Sequence, residues 1–180
     1  MIVMGMDPSL TGFGVAYRFV SGSGQVLWAS RISPPNKMRG VARLVYIENA
    51  VTGFIERYSP TLVAYEDYAF AGGRKRGSNT IFGIGELGGV IKKLLYSRGI
   101  AILAVPPTSL KLFATGSGRA EKEEVAEYVY RTEGVRFKTS DQSDAAALLK
   151  MGEAYANSRL LPRTRGHYQR KALAGCSIVV

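Results

Sequence analysis

The chain has 180 residues, with 24 Lys and Arg against 14 Asp and Glu, and so a formal net charge of +10. That length suits one ordinary domain and is short for two enzymatic lobes. A hydrophobic content of 46% with 21% charged residues excludes wholesale disorder, and a lone cysteine, Cys176, with a lone histidine, His167, excludes a disulfide scaffold and a soft-ligand metal cluster.

The first apolar run, 2–6, is closed by Asp7-Pro8-Ser9, and a second, 12–20, ends at the turn Ser21-Gly22-Ser23-Gly24. A third strand is expected over 25–32, before Pro34-Pro35, completing an antiparallel meander. Over 40–58 the apolar positions Val41, Leu44, Val45, Ile47, Val51, Phe54 and Ile55 recur at helical spacing, with Pro60 as terminator. A compact strand over 61–65 ends in Glu66, and a glycine-rich basic loop leads to a helix over 78–98. A strand over 100–105, stopped by Pro106-Pro107, precedes helices near 108–114, 121–132 and 143–155. Three meander strands followed by strands alternating with helices predict a mixed α/β sheet covered by helices. No apolar run reaches the roughly 18 residues of a membrane span, and Asp7 interrupts the first stretch where a signal peptide would be apolar. The expectation is a soluble, cytoplasmic chain with no membrane partner.

The positive charge is clustered. Arg159, Arg163, Arg165, Arg170 and Lys171 fall in a segment, 158–180, that holds no acid, and residues 70–111 set Arg74, Lys75, Arg76, Lys92, Lys93, Arg98 and Lys111 against Glu86 alone. Clusters of this kind favour a polyanion-binding surface over scattered solvation.

Against that background four acids stand out. Asp7 and Glu66 follow apolar strands, where the crevice beyond the strand ends of an α/β sheet takes ligands. Asp141 and Asp144 lie three apart at the start of the last helix, on one face. Converging carboxylates repel one another unless something positive neutralises them, and Mg²⁺ or Mn²⁺ suits an all-oxygen donor set. Each acid has a plainer alternative: Asp7 as part of a turn, Asp141 as a helix N-cap with Asp144 at N3. Glu66 has the weakest one, since an acid at the inner end of so apolar a strand is costly without a partner.

These residues carry a resemblance. Gly5-Met6-Asp7-Pro8-Ser9-Leu10-Thr11-Gly12-Phe13-Gly14 resembles the opening strand-turn-strand of the RuvC Holliday junction resolvases, and Val63-Ala64-Tyr65-Glu66 their second catalytic strand. Gly118-Arg119-Ala120-Glu121-Lys122 resembles their "G-SAEK" segment, and Asp141-Gln142-Ser143-Asp144-Ala145-Ala146-Ala147-Leu148 their "D-ADALA" helix. The motifs come in the family's order over residues 1–157, which makes that span the expected nuclease domain and 158–180 a basic C-terminal tail. Ser9 stands where the family often has glycine.

The resemblance implies a ribonuclease H-like fold, with five sheet strands in the order 3-2-1-4-5, and a metal-dependent endonuclease that resolves four-way junctions or other branched DNA by paired, symmetrical nicks. It makes Asp7, Glu66, Asp141 and Asp144 the candidate catalytic and metal-holding residues, with two ions per site expected for in-line displacement at a phosphodiester. Lys111 and Lys122 match basic positions that would meet the scissile phosphate, and Arg119 lies beside them. In the loop after Glu66, Tyr68 and Phe70 are candidates to stack on an unpaired base, while Arg74, Lys75 and Arg76 would track the backbone. Gly83, Gly85, Gly88 and Gly89 in the 78–98 helix each cost about 1 kcal/mol relative to Ala in a helix interior. Such glycines admit a close neighbour, either another helix of the same chain or, as the resemblance implies, a second copy in a homodimer. Whether the branch-migration proteins that partner bacterial resolvases act here is left open by the tail. The alternatives are a non-catalytic junction-binding protein and a ribonuclease H-like nuclease acting on RNA–DNA hybrids.

Overall fold

The computed structural model describes residues 1–22, 24–67, 78–157 and 167–179. They form, in chain order, β1 (Val3–Asp7), β2 (Phe13–Ser21), β3 (Gly24–Ile32), α1 (Gly40–Tyr58), β4 (Leu62–Glu66), α2 (Ser78–Ser97), β5 (Ala101–Val105), α3 (Pro107–Thr115), α4 (Lys122–Glu133), α5 (Ser140–Ala156), α6 (His167–Ala174) and β6 (Ser177–Val179). The sheet order is β3-β2-β1-β4-β5-β6, with β1, β4 and β5 parallel and the remaining neighbours antiparallel. The expected order 3-2-1-4-5 is present, extended by β6. That strand and α6 come from the segment read as a tail: α6 packs on α3, burying Ala172, and β6 pairs Ile178 with Leu103. Among the described residues no helix is long and apolar enough to cross a membrane.

Two-residue alternation along the central strands sorts their side chains between two cores. Met4, Met6, Val63 and Tyr65 point to a core closed by Ile47, Val51 and Ile55 of α1 and Leu87, Ile91 and Leu95 of α2. Val3, Leu62 and Ala64 point the other way, to Ala145, Leu148 and Leu149 of α5 and, beyond them, Phe113 of α3 and Val125 and Val129 of α4. Asp7 and Glu66 continue this second series by parity, so strand alternation itself aims both acids at the α5 layer.

That layer lies unusually close to the sheet, and glycine makes it possible. A Cβ on Gly5 would fall 2.1 Å from the Ala145 carbonyl oxygen, and one on Gly14 2.1 Å from that of Asp141. From α5's own side, a Cβ on Gly152 would meet Val3 at 2.6 Å. The helix is buried along nearly its whole length, which explains its Ala-rich sequence. It also begins earlier than periodicity suggests. Thr139 is the N-cap, its hydroxyl accepting from the Gln142 amide. Asp141 and Asp144 are therefore not the capping pair, and their carboxylates are left for other work.

Candidate active site

Met4 pairs with Val63 and Met6 with Tyr65 in parallel register, so Asp7 and Glu66 are the next residues of adjacent strands. Ser9 closes the turn after β1, its hydroxyl accepting from the Thr11 and Gly12 amides at 3.3 Å each. The turn is thus made by Ser9, and the carboxylate of Asp7 is not consumed by it. Asp7 is 7% exposed and Asp144 8%. Burial holds the Asp7 carboxyl well above the usual range, reinforced by the negative charges of Glu66, Asp144 and Asp141 and by a hydrogen bond with Glu66. Burial likewise pushes Asp144 up to about 6, opposed by the nearby Lys122 and Lys111 and aided by Asp141. All four acids of the sequence reading therefore meet at one end of the sheet.

Asp144 and Asp141 are engaged by cations of the chain itself. Lys122 Nζ lies 3.7 Å from Asp144 Oδ2 and 3.4 Å from Ser140 Oγ, so it points into the cluster and not toward its own helix neighbours. Arg31, in β3, donates from Nε to Asp141 Oδ2 at 2.7 Å. Sequence reasoning missed Arg31, since its partner is 110 residues away. The available clue was the Gly12-Phe13-Gly14 spacing, which strips side chains from the strand between them. As the side chains stand, no three Asp, Glu, His or Cys groups among the described residues are gathered tightly enough to hold a metal ion. The donor chemistry nonetheless fits a hard divalent cation: the groups are all carboxylates, and the buried Asp7 carries an excess of negative surroundings that such an ion would relieve.

Lys111, on α3, is half-buried and close enough for its charge to act on Asp144. Arg119 is exposed in the turn before α4. That turn is fixed by a capping box in which Glu121 caps the helix and the Glu124 carboxylate accepts from the Glu121 amide at 2.7 Å, and the box presents Lys122 at the first helical position. Asp67, directly after Glu66, is paired with Lys92 of α2 at 2.6 Å. Tyr68, Phe70, Arg74, Lys75 and Arg76 lie outside the described residues.

A family model described as "Crossover junction endodeoxyribonuclease RuvC" matches residues 3–150, a span that holds all four acids and both lysines. The chain belongs to the RuvC family. RuvC enzymes are metal-dependent nucleases. Curated RuvC relatives include the crossover junction endodeoxyribonucleases of Bifidobacterium adolescentis, 33% identical over 156 residues covering 82% of this chain and 77% of that protein. Another is that of Mycolicibacterium smegmatis, 33% identical over 153 residues covering 82% and 80%. Among solved structures, Thermus thermophilus RuvC in complex with a Holliday junction substrate aligns over 88% of this chain and 96% of its own, with TM-score 0.73 and 26% identity. The yeast mitochondrial Holliday junction resolvase Ydc2, at 12% identity and TM-score 0.59, shares the fold. The RuvC match ends at residue 150, so α6 and β6 lie beyond it.

Proposed function

We propose that the chain is a structure-selective DNA endonuclease that resolves Holliday junctions or other branched DNA. The observation that carries the reading is the meeting of Asp7, Glu66, Asp141 and Asp144 at one sheet end, beside Lys111 and Lys122, within a RuvC-family chain. Those four carboxylates would hold Mg²⁺ or Mn²⁺, two ions per site. When bound, such ions activate water and neutralise the charge that develops on the phosphate oxygens during in-line displacement. The chain's own residues do the rest. Asp7 and Glu66, on neighbouring parallel strands, give a rigid floor, and α5 brings its two acids over it. Lys122 and Lys111 supply point charges for the phosphate beside Asp144. Arg119, exposed in the same turn, would follow the backbone, as would Arg74, Lys75 and Arg76, with Tyr68 or Phe70 stacking on an unpaired base.

Paired nicks need two such sites, and α2 supports a homodimer. Phe82, Gly85, Glu86, Gly89, Lys93 and Tyr96 share its exposed face, Phe82 and Tyr96 being 71% and 63% exposed. Among the described residues nothing lies within 4 Å of a Cβ built on Gly89, so this glycine leaves room for a second copy.

The test compares the chain with Asp7→Asn on four-way, Y-shaped and linear DNA and on an RNA–DNA hybrid, with Mg²⁺. Divalent-ion-dependent nicking of the branched substrates is expected, falling by at least about a thousandfold in the variant while junction binding in a gel-shift assay is kept. Undiminished cutting by Asp7→Asn, or a preference for the hybrid, would refute the reading.

A further inference from the structure

Arg31 is held more tightly than a surface ion pair requires. Its three guanidinium nitrogens each have a separate partner: Nε donates to Asp141 Oδ2 at 2.7 Å, Nη1 to Ser33 Oγ at 2.6 Å and Nη2 to the Thr11 carbonyl at 3.1 Å. The rigid fork of an arginine makes such a three-way arrangement directional as well as charged. Room for it comes from Gly12, where a Cβ would stand 2.4 Å from Nη2, 2.5 Å from Nε and 2.5 Å from Asp141 Oδ2. The arginine and the carboxylate therefore meet in space that any other residue at position 12 would fill. The Arg31 side chain remains 36% exposed and that of Asp141 21%, so water and ions reach the pair and it can exchange.

We propose that Arg31 is a resident counter-ion that keeps Asp141 out of the metal-holding set until a divalent cation displaces it, and that it thereby sets the cation concentration at which the site assembles. The inference rests on the reading of these carboxylates as a metal site. Charge counting supports it. Fully ionised, the four acids carry four negative charges; Arg31 and Lys122 are paired with two of them, and the Lys111 charge also reaches Asp144. Each resident cation lowers the pull of the cluster on an incoming ion and occupies an oxygen that the ion would use. The two are not equivalent. Lys122, 60% exposed and 3.7 Å from Asp144, is a mobile point charge that can turn to a phosphate, whereas Arg31 is pinned at three points and must give up a short bond. Arg31 is thus a positioning residue, acting on metal entry through Asp141.

The test measures Mn²⁺ binding to the full chain without DNA, from the electron paramagnetic resonance signal of free Mn²⁺, for the parent, Arg31→Gln, Arg31→Lys and Ser33→Ala. Removing the charge in Arg31→Gln is expected to tighten Mn²⁺ binding about tenfold. Arg31→Lys, which keeps the charge, stays near the parent, and Ser33→Ala, which frees one anchor, gives a gain of about two- to threefold. Thermal melting followed by circular dichroism verifies the fold, and if Arg31→Gln does not fold, Ser33→Ala decides alone. Unchanged or weaker binding in the deciding variant overturns the proposal, weaker binding meaning that Arg31 orients Asp141 for the ion. A parent chain that binds no Mn²⁺ overturns the metal-site reading itself, a separate and distinguishable failure.

Discussion

Gly5→Ala tests the link from packing to chemistry. The added methyl would lie 2.1 Å from the Ala145 carbonyl oxygen, 2.4 Å from the Leu149 nitrogen and 3.0 Å from the Leu149 Cα. Those atoms are helix backbone, so no rotamer change can make room, and α5 must retreat by roughly 1 Å to restore van der Waals contact. Overpacking of this kind costs about 1–3 kcal/mol, and a backbone clash at the centre of the sheet belongs at the upper end. The same retreat carries Asp141 and Asp144 away from Asp7 and Glu66. A displacement of about 1 Å in a catalytic constellation lowers the rate by about a hundredfold. Urea unfolding followed by Trp28 fluorescence and single-turnover junction cleavage would report the two effects separately. Gly53→Ala is the control: Gly53 is exposed within α1 with nothing among the described residues within 4 Å of its would-be Cβ, so the change should stabilise by up to about 1 kcal/mol and leave cleavage alone. Parental stability for Gly5→Ala would refute the close approach. Lost stability with unchanged cleavage would refute the claim that this approach sets the geometry of the acids.

A second expectation concerns Arg18, which bridges Glu133 of α4 (2.9 Å) and Glu153 of α5 (2.6 Å) from β2, with Lys150 also on Glu133. Arg18→Met should cost about 2–3 kcal/mol in urea unfolding, below the full value for a buried pair because the side chains are 12–30% exposed. Burial raises the Glu133 carboxyl, but hydrogen bonds from Arg18 and Lys150 outweigh it and hold the group below its ordinary 4.5. A depressed carboxylate stabilises the fold above that value, and the contribution is lost as pH falls below it. Acid unfolding should therefore begin below about pH 4.5 and be flatter in Arg18→Met, a difference that pH-dependent melting would reveal. For Lys122→Gln, stability should stay within about 0.5 kcal/mol, because the lysine is largely exposed, while kcat falls about 10–100-fold with KM little changed; a fall in KM-linked binding alone would place Lys122 on the DNA path and not at the reacting phosphate.

How far these features can be read from sequence depends on the distance over which each is specified. Strand alternation and motif order are local, so the ends of β1 and β4 and the positions of Asp7 and Glu66 follow from a few neighbouring residues. The start of α5 is less determined, because Thr139 and Asp141 are both competent caps, and it is the Thr139 hydroxyl that accepts from the Gln142 amide. β6 is three residues long, too short for a period-two signal, and exists because β5 offers it an edge. Arg31 is beyond any local rule: its role depends on β3 pairing Arg31 with Gly14 and on α5 laying Asp141 across that glycine.

Net charge shows the same contrast between sum and place. A surplus of +10 draws the whole chain toward a polyanion, yet cleavage requires a local deficit that attracts a divalent cation. The fold reconciles the two by pairing. Arg18 and Lys150 neutralise Glu133 and Glu153 in the scaffold, and Lys92 neutralises Asp67 beside the site. Arg31 and Lys122 offset Asp141 and Asp144 within it. On the proposed reading the surplus governs approach to DNA, while the cations beside the four acids govern how much negative charge an incoming metal ion meets. A change at Arg31 should alter the second with little effect on the first, since it removes one of 24 basic residues from the whole but the cation that holds Asp141 in the site.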